Sequence, residues 1–378
     1  MQLSIVESLK NISASEWNAL AGKNNPFIQH QFLHAFETGQ CLEPFGWHPK
    51  YFLIHSDNNE LIGAMPAYEK HNSYGEFVFD WAWADAYQRS GINYYPKLLI
   101  AIPYSPCQGP RILAKDNNPE IKNTLIKFAL DFSAKNHYSS THWLFNLKDD
   151  FDILKQHTDL QRFDFQFHWK NNHYKNFDDF LNALKPKKRK NIKQERRKVR
   201  DQKIEIKTVN GTELSDEQWQ KIYYFYQITF MKKSGSPTLS LNFFKSIAET
   251  LLIIFAYHKN EIVAGAICIQ GEDTLYGRHW GCLDEYDSLH FEVCYYTGIE
   301  YCIQHNIKTF EPGAQGEHKI SRGFLPVKTW SAHQVTHPEF NRILVQHLQR
   351  ESLALADYGK DLMNASPFKI KNFTANKR

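Results

Sequence analysis

Within twelve residues of the C-terminal half stand Glu311, His318, Lys319 and Arg322, around Gly313 and Gly316. Glu311 ends a predicted strand and precedes Pro-Gly. A carboxylate there faces the crevice of an open α/β sheet, where it could orient or deprotonate an amine. It could equally hold loop N–H groups or pair with Arg322. His318 titrates near neutrality and suits either direction of proton transfer. Lys319 and Arg322 suit a phosphate or carboxylate, arginine through a two-pronged fork. The competing reading is a surface loop with solvated charges.

A second group is the run KPKKRKNIKQERRKVR at 185–200, with ten Lys or Arg and one acid, Glu195. Its net charge is +9. The chain as a whole is +4, so the remainder stands at −5. The positive charge is therefore local, and a phosphate-bearing partner is its natural complement. Ile192 and Val199, seven apart, offer one thin seam for docking. Ten cations within ~24 Å of helix repel one another strongly for a merely soluble surface.

In a predicted strand at 274–283, alternation puts Arg278 and Trp280 on one side and His279 on the other. A cation there needs a substrate or a partner such as Glu292 or Glu311. Asp80, Trp81, Trp83, Asp85 and Tyr87 mix aromatics with acids, which suits sugar or amine recognition, although tryptophan most often packs a core. Arg111, after Gly109-Pro110, reads as a phosphate clamp or a loop brace. Eighteen histidines and six cysteines show no metal-ligand spacing, so no metal is expected.

These residues must be placed by elements of two kinds. The first half reads as strands at 51–54, 60–68 and 76–82, a helix at 85–100, a strand at 111–114, a helix at 120–135 and a strand at 142–147. The second half reads as a strand at 204–209, helices at 215–232 and 241–250, strands at 252–257, 262–270 and 274–283, a long helix at 288–305 and a strand at 309–312. A meander followed by helix and strand appears twice, which predicts a duplicated α/β fold on mixed sheets. The expected domains are 1–160 and 161–378, the second holding the basic helix and a C-terminal helix from Pro338. The apolar run 251–256 is far below the ~20 residues that span a bilayer. The N-terminus lacks a secretory pattern, and the thiols suit a cytoplasmic protein.

Phe177–Arg200 followed by KIEIK resembles the entry to the second domain of Fem-type peptidoglycan aminoacyltransferases, with Lys188, Arg189 and Asn191 in their basic-helix pattern. Glu311–Ile320 with Arg322–Phe324 resembles their C-terminal signature. NPF (Asn25–Phe27) and GPR (Gly109–Arg111) complete a likeness to the Fem-like peptidoglycan biosynthesis or recognition group of the GNAT acyltransferases. The resemblance implies two tandem GNAT-like domains, each a mixed, mostly antiparallel sheet flanked by helices. It also implies acyl or aminoacyl transfer to an amine, with a peptidoglycan precursor as a candidate acceptor. The donor would be acyl-CoA or aminoacyl-tRNA, so the partner is a phosphate-bearing small molecule or tRNA. One departure bears on the donor. The glycine-rich loop that meets the coenzyme A pyrophosphate is replaced by GCLDEYDSLHFE at 281–292. On the resemblance, Glu311 and His318 are the catalytic candidates. Arg278, Trp280, Lys319, Arg322, Lys188, Arg189, Asn191 and Arg111 are the binding candidates. A non-catalytic RNA- or muropeptide-binding protein on the same fold is the alternative.

Overall fold

The computed structural model describes residues 1–232, 234–314 and 316–369. The chain divides into two compact units. One comprises Met1–Asp164 and Lys328–Asp357. The other comprises Phe165–Val327 and the described residues from Tyr358 on. The first unit thus takes back a segment that the sequence reading gave to the second domain. The reason is pairing: Trp330–Val335 lie antiparallel to Ser140–Asn146.

In the first unit, strands Gln2–Val6, Tyr51–His55, Leu61–Met65 and Leu113–Ala114 form one antiparallel sheet in that order. Trp47–Pro49, Tyr68–Lys70, Lys97–Ile100 and Ser140–Asn146 follow one another in a second sheet, whose last pair is parallel. Helix Pro119–Lys135 packs Ile121, Leu125, Ile126 and Ala129 into the core of this unit. Asn118 caps it, accepting from the Glu120 N–H at 2.8 Å.

Two expectations fail here. Residues 76–80 are loop rather than strand, and the helix is Trp81–Arg89, followed by strand Lys97–Ile100. Pro96 cannot continue a helix, and the fully buried Lys-Leu-Leu-Ile segment finds a parallel partner in Thr141–Trp143. Tertiary pairing overrides the local reading.

The second unit carries its strands in the order Ile204–Asn210, Leu251–His258, Glu261–Gln270, Thr274–Cys282, Thr309–Glu311. Trp169 and Lys170 of strand Leu160–Lys170 then pair with Phe310 and Thr309. Lys259 and Asn260 take positive φ, 52° and 67°, in the hairpin turn. Helix Asp216–Met231 starts at a capping box between Ser215 and Gln218. Thr274–Cys282 and Thr309–Glu311 run parallel. The shorter strand ends at Glu311, opposite Tyr276, while its partner runs on to Cys282; strand carboxyl ends are where an α/β sheet offers a site.

Candidate functional site

Strand alternation decides which way Glu311 faces. Its neighbour Phe310 and the partner Trp169 both belong to the core beneath the helices. Glu311 therefore points to the opposite sheet face, with His168, whose Nδ1 lies 3.7 Å from Oε1. His168 is buried. Desolvation, then the charges of Lys170 and Lys319, hold its imidazole down to about 3, so it stands neutral beside the carboxylate. Glu311 in turn acts on Lys170.

Immediately beyond Glu311 the chain turns through Gly313 at φ 97°. A Cβ at Gly313 would sit 3.7 Å from the Gly277 carbonyl oxygen and 3.9 Å from Lys319 Nζ. The contacts leave room for a side chain, so it is the positive φ that calls for glycine here. Lys319 is only 3% exposed, yet Nζ donates a single hydrogen bond, to the Gly313 carbonyl at 2.8 Å. Two N–H protons are left without an acceptor among the described residues. Burial pushes its ammonium down to about 8, against a smaller opposing effect of Cys294. Lys319 also acts on both His168 and His318.

His318 has different company from Glu311. Its Nε2 lies 3.0 Å from the Tyr295 hydroxyl, and the ring faces Phe291 and Tyr295. The long helix that supplies these rings is not uniform. Leu289–Phe291 is α, Glu292–Tyr296 a π segment and Thr297–Gln304 α again. Such segments recur at functional sites, and nothing in the hydrophobic spacing announces this one. Its wider turn gives consecutive residues separate tasks: Tyr295 meets His318, while Tyr296 hydrogen-bonds Glu195.

Arg322 is committed within the protein. Nε donates to the Tyr296 hydroxyl (3.0 Å), Nη1 to the His318 carbonyl (3.0 Å) and Ser321 Oγ (3.3 Å), and Nη2 to Glu195 Oε1 (2.8 Å). Its guanidinium stacks 3.5 Å over Phe291. The residue braces the loop rather than offering its fork to a ligand.

The basic helix is Pro186–Asp201, and Ile192 and Val199 are its buried seam. Beside that seam Arg196 donates to Glu292 and Glu300, and Lys198 to Asp287. Gln202, just past the helix, exchanges hydrogen bonds with the Asp287 backbone. The basic helix is thus docked along Asp287, Glu292 and Glu300, at and just after the entry to the long helix. Lys187, Lys188 and Lys190 make no ion pair among the described residues, and Arg189 donates to Asn182 Oδ1 at 3.0 Å. Asn191 is exposed. Arg278 is half-buried at an irregularity of the Thr274–Cys282 strand, and Trp280 packs at the core's edge against His290.

The acids and aromatics near Asp80 part company. Asp80 and Glu76 turn inward onto Lys97, which is fully buried and 2.8 Å from Glu76 Oε2. Burial alone would raise Asp80, but the Lys97 charge outweighs it and holds the carboxyl low. Burial pushes Glu76 up to about 7 despite Lys97. Trp83 packs against His142 and His333, while Trp81 stays partly exposed beside Tyr74. Among the described residues no group of three or more His, Cys, Asp or Glu is placed to hold a metal ion, and no helix is long and apolar enough to cross a membrane.

A family model described as FemAB-like, peptidoglycan biosynthesis/recognition, matches residues 8–370. The chain belongs to the FemAB-like family. Among solved structures, FemX aligns with a TM-score of 0.55 at 11% identity, over 91% of this chain and 100% of that one. L-PGS from Bacillus licheniformis aligns with a TM-score of 0.50 at 10% identity, over 87% and 98%. No curated protein matches the sequence. At these identities the structural likeness speaks for the fold alone.

In this FemAB-like chain the NPF and GPR motifs meet one another. Asn25 Nδ2 donates to the Gln108 carbonyl at 3.1 Å, and a Cβ at Gly109 would strike it. Arg111 is fully buried, with Nε, Nη1 and Nη2 directed at the carbonyls of Leu144, Pro110 and Cys107. Of the two readings the sequence left open, the loop brace describes this arrangement.

Proposed function

We propose that the second unit transfers an acyl or aminoacyl group from a phosphate-bearing donor to an amine, with a peptidoglycan precursor as the acceptor. The observation that carries this is the buried ammonium of Lys319, which holds one hydrogen bond among the described residues and lies on the loop that leaves the strand ending at Glu311. Direct transfer needs no enzyme nucleophile. The amine must lose a proton, and Glu311, flanked by neutral His168, is the base. The carbonyl oxygen becomes an oxyanion, and the two remaining N–H groups of Lys319 are the donors aimed at it. The free face of the basic helix takes the donor's phosphates, because Lys187, Lys188 and Lys190 make no ion pair there among the described residues. The FemAB-like description, peptidoglycan biosynthesis/recognition, supports the acceptor class; the cytoplasm is our own proposal for where the reaction runs.

Incubation with panels of acyl-CoA and aminoacyl-tRNA donors tests the proposal; no turnover with either class removes it. Glu311→Gln should slow turnover well over tenfold, since general-base assistance is worth roughly 10²–10⁴, with little change in melting temperature. A fall in melting instead would make Glu311 structural. Changing Lys187, Lys188 and Lys190 together to glutamine should flatten the salt dependence of RNA affinity by about 2 in log–log slope, at ~0.7 per phosphate contact on a single strand. An unchanged slope would take the phosphates elsewhere. The non-catalytic alternative shares this helix and differs in one result: RNA or muropeptide binding without amide formation.

A further inference from the structure

Glu195 is the one acid in the basic run, and the structure gives it a place unlike that of its neighbours. Most of the cations of this helix face outward, while Glu195 is half-buried on the docked side. Its two carboxylate oxygens take different partners. Oε1 accepts from Arg322 Nη2 at 2.8 Å, and Oε2 accepts from the Tyr296 hydroxyl. Arg322 Nε closes the triangle on that hydroxyl at 3.0 Å.

From this triangle two short paths reach His318. One runs through Arg322, whose Nη1 holds the His318 carbonyl at 3.0 Å. The other runs from Tyr296 to its neighbour Tyr295, whose hydroxyl sits 3.0 Å from His318 Nε2. The His318 backbone is therefore tied through hydrogen bonds to a carboxylate on the helix that carries the exposed cations, and its ring is tied to the same carboxylate through the covalently adjacent Tyr295 and Tyr296.

We infer that Glu195 is a positioning residue: it couples occupation of the basic helix by phosphate groups to the placement of His318 beside the transfer site. This rests on the transfer reaction proposed above only for the meaning of the site, not for the coupling. By linkage, whatever orders the loop at His318 must also tighten phosphate binding on the helix.

The test uses the full chain with isotope-labelled histidine, His318 being assigned from the His318→Gln spectrum. The probes are inorganic tripolyphosphate and a mixed-sequence RNA dodecamer, which separate free phosphate from a nucleic-acid backbone. In the wild type, saturation by a bound probe should move the His318 ring signals. In Glu195→Gln the probe should bind at least as tightly, since an acid has left a cationic helix, and the shift should be lost. Glu195→Asp, which keeps the charge but shortens the reach, should also lose it and serves if the glutamine variant does not fold. A wild type whose His318 signals stay still at saturation, or a Glu195→Gln protein that keeps the shift, overturns the inference. A shift that obeys these expectations in a protein without turnover leaves the coupling standing and removes the transfer reaction instead.

Discussion

Lys319→Met is expected to abolish most turnover while leaving the melting temperature unchanged or slightly raised. Methionine matches lysine in length and removes a charge that is 3% exposed and holds one hydrogen bond, to Gly313. Replacing a buried charge with an apolar group of similar volume is often neutral or stabilising. Removing an oxyanion donor lowers kcat by roughly 10²–10³-fold. The two effects point in opposite directions, which separates catalysis from scaffolding. The pH dependence adds a second signature. Burial lowers Lys319 to about 8, so an ammonium donor is lost as pH rises through that value, and turnover should fall there. Stability should move the other way. Between about 8 and the ordinary lysine range the unfolded chain binds more protons than the folded one, so the contribution of Lys319 to stability rises with pH. Rate measurements and thermal melts across that window check both. A rate that climbs through pH 8 would make Lys319 a base.

The second large effect concerns stability in the first unit. Lys97→Met should destabilise by about 3–5 kcal/mol, because it strands two buried carboxylates. Glu76 and Asp80 are each 4% exposed and rely on Lys97 Nζ, which is fully buried. Among the described residues Glu76 Oε1 and Asp80 Oδ1 have no hydrogen-bond partner, and the Tyr94 hydroxyl, which donates to Asp80 Oδ2 at 2.6 Å, carries no charge to offset the loss. At roughly 2–4 °C per kcal/mol for a domain of this size, melting should drop by about 10 °C. Adding Glu76→Gln and Asp80→Asn should recover much of it. A Lys97→Met protein that melts with the wild type would mean that both acids are protonated in the fold.

The contrast between these two lysines shows what the sequence could and could not reveal. Strands and helices with clean periodicity were legible: the capped helix Asp216–Met231, the hairpin Leu251–Gln270 and the parallel pair Thr274–Cys282 with Thr309–Glu311 stand where the pattern put them. So was the seam of Ile192 and Val199. Strand Leu160–Lys170 carries a signal too, since Phe163, Phe165, Phe167 and Trp169 alternate strictly, but no element is predicted there, and His168 goes unflagged with it. Lys97 was hidden for a different reason. Its partners Glu76 and Asp80 lie about twenty residues away, in a stretch whose aromatics imitate a strand. The π segment was invisible, because one extra residue in a helical turn leaves the apolar stripe intact. Lys319 was singled out beside Arg322 as a ligand-binding cation. Only the folded structure separates them, with every nitrogen of Arg322 engaged and Lys319 holding one hydrogen bond among the described residues.

Mass-spectrometric detection of amide formation, comparing wild type with Lys319→Met across acyl-CoA and aminoacyl-tRNA donors with amine-bearing peptidoglycan precursors, addresses the strand-end site most directly. Acylated acceptor formed by the wild type, at a rate roughly 10²-fold or more above the variant, is the expected result. Equal product from both proteins, or none from the wild type with any donor, would contradict it.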